Sequence, residues 1–235
     1  MQKAINPFVY NHILNGMPNS TIPAHLTPSY SQNYEDVIID SFLRVYFKSL
    51  KNSISICYVE IGANHPVCTS STFFFREKYN IRGILVEANP ELIPALEKYR
   101  QGDLIVNSAV CDEDIKELDF HISNDNEISS LDKNFVDAWS GREFKKTIKV
   151  PCVRINEIME KTIKNNETLL FIDVEGMDLK ILKDLDYDKY KPLVIVTEPS
   201  DGYLQGTSDK MIEFLNSKNY KLLAETNSNL IFVRN

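Results

Sequence analysis

The sequence predicts an α/β domain built on a mostly parallel sheet, and three observations lead there. Short apolar runs of strand length alternate with amphipathic helical stretches through most of the chain, the order that lays helices over both faces of a parallel sheet. Residues 56–61 form a nearly continuous apolar run that stops at Gly62, as a strand buried on both faces does. Near the C-terminus, residues 221–225 and 230–234 flank Thr226-Asn227-Ser228-Asn229, a hairpin signature that adds an antiparallel pair at one side.

Residues 1–30 carry Pro7, Pro18, Pro23 and Pro28 among Asn, Ser and Thr, poor material for helix or strand. They read as an irregular extension or lid before a domain spanning 31–235. A helix follows, with Asn33 as cap, Glu35 and Asp36 at its positive end, and Ile38, Phe42, Tyr46 and Leu50 at helical spacing. After the strand at 56–61, residues 69–79 read as a helix started by Ser and Thr hydroxyls, and 83–87 as a second strand. Asn89-Pro90 offers a cap and a first-turn proline to a helix over 91–100. A third strand covers 103–107. Strand-like pieces at 117–122 and 147–154 bracket a polar stretch that holds Trp139. The alternation resumes with a helix over 155–163, a strand over 169–174, a short helix over 178–185 and a strand over 193–198. A helix over 210–217, capped by Ser208, precedes the hairpin.

A chain of 235 residues with 43% hydrophobic and 25% charged residues is an ordinary globular composition, long enough for one domain with a sizeable core. The formal net charge of −7 and the lack of a dense Lys/Arg run argue against a nucleic-acid partner. Lys145-Lys146-Thr147-Ile148-Lys149 reads as a solvated strand edge. Cys57, Cys68, Cys111 and Cys152 form no C-x-x-C pair and sit among mostly apolar residues, so they read as buried free thiols. No charged leader with an apolar core and no apolar run of about 20 residues is visible. The expectation is a soluble, cytoplasmic protein with no membrane span.

In an open parallel sheet, ligands bind beyond the carboxyl ends of the strands, where strand order reverses. Gly62 ends the first strand, where a missing Cβ lets backbone approach a ligand. Glu87 ends the second, where a carboxylate can accept hydrogen bonds from both ribose hydroxyls. Singly these are an ordinary turn glycine and an ordinary capping carboxylate; together, in one βαβ unit, they favour a nucleoside. A dinucleotide would want G-x-G-x-x-G. Gly62 is followed instead by Ala63, Asn64, His65, Pro66 and Val67, which favours a nucleoside ligand without phosphates, such as S-adenosylmethionine, over NAD.

Four motifs in order, Tyr30-Ser31-Gln32-Asn33-Tyr34-Glu35-Asp36, Val59-Glu60-Ile61-Gly62-Ala63-Asn64-His65-Pro66, Val86-Glu87-Ala88-Asn89-Pro90 and Phe171-Ile172-Asp173-Val174-Glu175-Gly176, resemble the FkbM-type methyltransferases. The resemblance runs from about Ser31 to about Glu198. It implies a Rossmann-like, class I methyltransferase fold with a mostly parallel seven-stranded sheet. The implied reaction moves a methyl group to an oxygen, commonly a hydroxyl of a sugar or polyketide. It places Glu60, Gly62 and Asn64 at the methionine end of S-adenosylmethionine, Glu87 with its neighbour Ala88 at the ribose, and Ser31, Gln32 and Asp36 in a motif closing over the cofactor. Glu87-Ala88-Asn89-Pro90 departs mildly from the family's Glu-Pro-Asn-Pro. Ser108 and Ala109, after the third strand, stand where such folds meet adenine.

Methyl transfer is an in-line displacement in which the protein's main task is positioning. A hydroxyl acceptor gains from a general base, for which Asp173, Glu175 and Glu198, at the ends of the fourth and fifth strands, are candidates. Asp173 follows an apolar run, which predicts desolvation and a raised pKa. Asp173 and Glu175 alternatively cap the next helix, or hold Mg²⁺ against a sugar diol. His65 is a further candidate base, while His121 reads as structural. The polar stretch from Ser123 to Gly141, with Trp139, reads as an acceptor-binding flap. The rival functions are an inactive methyltransferase-fold module in a glycan-assembly complex and a nicotinamide-dependent oxidoreductase.

Overall fold

The computed structural model describes residues 28–49, 55–138, 144–162 and 166–235. Most of the predicted extension and Trp139 lie outside these residues. The described chain begins with helix α1 (Glu35–Ser49), then β1 (Ile56–Ile61), α2 (Phe73–Tyr79), β2 (Gly83–Glu87), α3 (Ile93–Tyr99) and β3 (Leu104–Asn107). A middle portion contributes β4 (Ala109–Cys111), β5 (Glu117–Ser123), a 3₁₀ turn (Asn126–Ile128), α4 (Lys133–Ala138) and β6 (Phe144–Arg154). The last portion holds α5 (Ile155–Met159), β7 (Glu167–Ile172), α6 (Asp178–Asp184), β8 (Val194–Thr197), α7 (Thr207–Ser217), β9 (Tyr220–Glu225) and β10 (Leu230–Arg234).

Seven strands form one sheet in the order β3-β2-β1-β7-β8-β10-β9. All pairs from β3 to β8 are parallel, and β10 is antiparallel to both β8 and β9. This is the predicted mostly parallel sheet with its terminal hairpin. The strands alternate between two separate apolar layers. Val59, Ile61, Leu170 and Ile172 pack with Ile158, Ile181 and Leu215 on one face, whereas Tyr58, Leu169 and Phe171 pack with Ile39, Phe75 and Leu96 on the other. Burial on both sides is why these strands read as continuous apolar runs.

The register aligns the strand ends. Ile61 pairs with Val86 and with Ile172, and Ile172 pairs with Thr197. The next residue on each strand therefore falls in one row across the carboxyl edge: Glu87, Gly62, Asp173 and Glu198. Strand order reverses between β1 and β7, the place where open α/β sheets bind ligands.

A second sheet, β4-β6-β5, carries a long hairpin beside this edge. Its pairing overturns part of the cysteine expectation. Cys111 on β4 and Cys152 on β6 form a disulfide, with Cα atoms 6.4 Å apart, while Cys57 and Cys68 take part in none. The parallel pairing of β4 with β6 brings together residues 41 apart in sequence, and neither spacing nor flanking composition signals it.

Several helix starts also differ from expectation, and at two of them a carboxylate several residues away takes the first donors. The helix read from residue 69 begins at Phe73, because Glu60 accepts the Ser71 N–H (2.9 Å) and the Thr72 hydroxyl (2.5 Å). Ser70 does cap it, accepting the Phe73 N–H at 3.2 Å. Ser208 is not the cap of α7; Asp201 accepts the N–H groups of Thr207 and Ser208. Asn33 does not cap α1 either. Ser31 Oγ accepts the Asp36 N–H at 3.3 Å. Asn89 accepts the Glu91 N–H at 3.0 Å and starts a turn that only then leads into α3.

Candidate active site

Two adjoining cavities open along the carboxyl edge of the sheet. They meet at Gly62, Asn64, Glu127, Asp173 and Glu175. The first lies over β2 and β3 and is walled by Glu87, Ala88, Ser108, Ala109 and Phe120. The second reaches toward β8 and β10 and is walled by Gln32, Glu60, Thr69, Ser71, Glu198 and Asn229.

Gly62 joins the two. Its φ is +85°, and a Cβ there would stand 1.8 Å from the Asp173 carbonyl oxygen. Its N–H donates to the Val86 carbonyl at 2.9 Å, and the Asp173 N–H donates to Ile61 at 3.0 Å. Backbone from three strands thus converges where only glycine fits.

Glu87 is buried, and burial raises its pKa. One carboxylate oxygen accepts the Asn64 N–H (2.8 Å) and the other the Asn89 N–H (2.6 Å). The Ala88 N–H also donates to this carboxylate, and of its roughly four acceptor sites one remains for a ribose hydroxyl. Asn107 fixes the same turn by donating to the Glu87 and Ala88 carbonyls. Ser108 is buried and donates to the Ala109 and Pro151 carbonyls, so it offers the cavity a wall and not a free hydroxyl.

A nucleoside without phosphates fits this edge. Past Gly62 the chain makes an irregular loop, and α2 begins only at Phe73, so no helix N-terminus stands where a pyrophosphate would need one.

At the junction, carboxylate oxygens of Asp173, Glu175 and Glu198 all lie within 4.8 Å of one another. Asp173, one residue beyond β7, is exposed, against the expectation that it is desolvated. The burial falls on Glu198, whose pKa is pushed up to about 11 by desolvation, by the charges of Asp173 and Glu175, and by a hydrogen bond to Asp173. Asp178, fully buried behind the cluster, is likewise raised well above the usual range, first by desolvation and then by Asp173. Met177 is the N-cap of α6 and makes no side-chain cap hydrogen bond. Glu175 itself is held at φ +55° ahead of Gly176, and its carbonyl accepts the Ser130 hydroxyl at 2.7 Å.

The upstream motif is a clasp. Asp36 is buried and accepts from the Ser29 hydroxyl (2.7 Å), the Tyr30 N–H (2.7 Å) and the Ser31 hydroxyl (3.0 Å). Burial raises its pKa. Ser31 and Asp36 thus act on the backbone, and Gln32 is the motif residue that lines a cavity. Glu60 lines the same cavity while its carboxylate serves the loop after β1.

His65 lines neither cavity; its Nδ1 accepts the Val67 and Cys68 N–H groups at 3.1 and 2.8 Å. Burial lowers its pKa. His121 sits on β5 beside Thr147 (2.9 Å). The polar stretch does face the site, through Glu127, Ser129 and Leu131. Lys145 and Lys146 pair with Glu91 at the surface.

Sequence reasoning missed Thr69, Ser71, Glu127 and Asn229. Each sits on a loop or turn, where no periodicity marks the inward side. Asn229 had one signal: it precedes β10, the antiparallel partner of the strand ending before Glu198.

The strand order, the glycine at the β1 turn and the carboxylate ending β2 define a Rossmann-like, class I methyltransferase. The chain belongs to the FkbM methyltransferase family, since the profile described as the methyltransferase FkbM domain matches residues 60–222, more than half of its length. The family's cofactor is S-adenosylmethionine. Among solved structures the chain is similar to the precorrin-6y C5,15-methyltransferase from Geobacter metallireducens GS-15, at 13% identity and a TM-score of 0.43, over 93% of this chain and 96% of that one. No curated protein matches the sequence significantly. Among the described residues no helix is long and apolar enough to cross a membrane.

Proposed function

We propose that the protein transfers the methyl group of S-adenosylmethionine to a hydroxyl of a sugar or glycan, of the surface-polysaccharide or nucleotide-sugar type, in the cytoplasm. The observation that carries this reading is the Asp173, Glu175 and Glu198 cluster, placed where the two cavities meet. Bound S-adenosylmethionine supplies a methyl group already activated on sulfur. The chain's own residues do the rest. Glu87 accepts a ribose hydroxyl, Ala88, Ser108 and Ala109 wall the base, and Gly62 and Asn64 let the backbone close on the methionine side. The acceptor enters from the second cavity, past Gln32 and Asn229.

Three carboxylates so close together hold one proton in common at neutral pH. Glu198, whose pKa is pushed up by desolvation and by the charges of Asp173 and Glu175, keeps it. Asp173, exposed at the end of β7, accepts the hydroxyl proton of the acceptor, and Glu175 shares in orienting that hydroxyl. A base so placed contributes about 10²–10⁴ in rate. The same oxygens, within 4.8 Å of one another, could alternatively contribute to a divalent-cation site completed by water and substrate. Turnover abolished by a chelator and restored by Mg²⁺ would replace the base with a metal-assisted step.

Calorimetry with S-adenosylhomocysteine and with NAD tests the cofactor: binding of the first alone is expected, and binding of NAD alone sinks the reading. Methyl transfer to a panel of oligosaccharides and nucleotide sugars then separates an enzyme from a binding module that holds the cofactor without turnover. Asp173→Ala is expected to lower kcat by about 10²–10⁴ with little change in S-adenosylhomocysteine affinity; full activity removes Asp173 as the base.

A further inference from the structure

We propose that Arg100 is a positioning residue for the methionine end of the cofactor, an inference that rests on the methyltransferase reading above. Arg100 follows α3, and its side chain is fully buried without lining either cavity. Its Nε donates to Asp103 at 2.9 Å. Nη1 donates to the Pro66 carbonyl (3.2 Å) and Ser70 Oγ (3.0 Å), and Nη2 to Tyr58 Oη (3.0 Å) and Thr72 Oγ1 (2.7 Å). Glu60 Oε2 lies 3.7 Å from Nη1.

Three of these partners, Pro66, Ser70 and Thr72, belong to the loop between β1 and α2. Glu60 grips the same loop from the other side through the Ser71 N–H and the Thr72 hydroxyl. No strand pairing holds the loop, and Thr69 within it sits at φ +61°. Its residues Thr69 and Ser71 nevertheless wall the second cavity, beside Gly62 and Asn64. One guanidinium and one carboxylate therefore set the shape of the wall that the methionine end meets.

The residue type matters. A guanidinium offers five N–H donors in a rigid plane, whereas an ammonium offers three on a flexible stem. Burying one cation with Glu60 and Asp103 brings little net stability, because desolvation offsets the attraction. What the arrangement provides is a single conformation of the loop, fixed at two hydroxyls and a carbonyl.

The test compares two ligands that share the adenosine thioether. S-Adenosylhomocysteine carries the aminocarboxypropyl arm and 5′-methylthioadenosine lacks it. Two variants are measured by calorimetry: Arg100→Lys, and the double variant Ser70→Ala/Thr72→Val, which leaves Arg100 with its partner Asp103. Each is expected to weaken S-adenosylhomocysteine about tenfold while methylthioadenosine stays within about twofold, the split belonging to lost contacts at the arm alone. Equal weakening of both ligands assigns Arg100 a purely structural role and overturns the proposal, as does no change in either. Should Arg100→Lys fail to fold, the double variant decides. A wild-type chain that binds neither ligand overturns the methyltransferase reading, and this inference with it.

Discussion

At Gly62 a methyl group would meet the Asp173 carbonyl oxygen at 1.8 Å, on a backbone with φ +85°. Both penalties act at once, since backbone cannot step aside as a side chain does, and a Cβ resists positive φ. Gly62→Ala should therefore cost about 3 kcal/mol or more and drive the ends of β1 and β7 apart. S-Adenosylhomocysteine binding should fall at least about 100-fold, while thermal unfolding stays cooperative at a lower Tm; near-wild-type affinity would mean that the cofactor does not depend on this turn. The glycine was legible because it ends an apolar run, and Glu87 because it ends the next one. The environment of Asp173 was not. An apolar run before a carboxylate does not fix its exposure: Asp173 and Glu198 each stand one residue past their strands, β7 and β8, yet Asp173 is exposed and Glu198 partly buried.

Whole elements were legible wherever they were apolar on both faces. The sheet strands β1, β2, β7 and β8 fall within two residues of their expected bounds, because burial leaves an unbroken mark; β3, at the sheet edge and partly exposed, is legible from its apolar run alone. Helix starts were less legible, because a helix begins where its first donors find partners, and here those partners come from elsewhere in the chain. Glu35 shows the same effect over the longest range. It is fully buried, and one oxygen accepts from Thr226 Oγ1 (2.8 Å) and Asn229 Nδ2 (3.1 Å), the other from the Asn33 N–H (2.9 Å). Sequence reading saw in Glu35 a first-turn carboxylate favourable to the helix dipole; the structure makes it the tie between α1 and the β9–β10 turn. Gln32 and Asn229, which wall the second cavity, stand on the two sides of that tie. Glu35→Ala leaves three donors without their acceptor and should cost about 1–3 kcal/mol. Faster amide exchange at residues 30–36 and 226–230, with the other sheet strands unchanged, is the expected signature. Uniformly faster exchange would show the tie to be part of global stability instead.

Over the whole molecule, buried carboxyls set opposite pH slopes for stability and for cofactor binding. Asp36, Glu60 and Glu87 all have pKa values raised by burial, so the native state holds protons that the unfolded chain releases. Their contribution is fully present below the unfolded values near 4 and is lost as pH rises through the raised native ones. His65, lowered by burial, acts the other way, but only as pH falls through about 6.5. Asp40, Asp201 and Glu91, all lowered, matter only in more acidic solution. The ligand-free Tm should accordingly fall as pH rises above about 4. Cofactor binding should respond in the opposite sense. A ribose hydroxyl donates best to ionised Glu87, so the ligand lowers that pKa and S-adenosylhomocysteine affinity rises with pH over the same range. Glu87→Gln cannot ionise and should flatten the affinity slope and lessen the stability slope, to which Asp36 and Glu60 still contribute, while weakening the ligand about 10–100-fold. Affinity that is flat with pH in the wild type, or unchanged slopes in Glu87→Gln, would place the ribose contact on another residue.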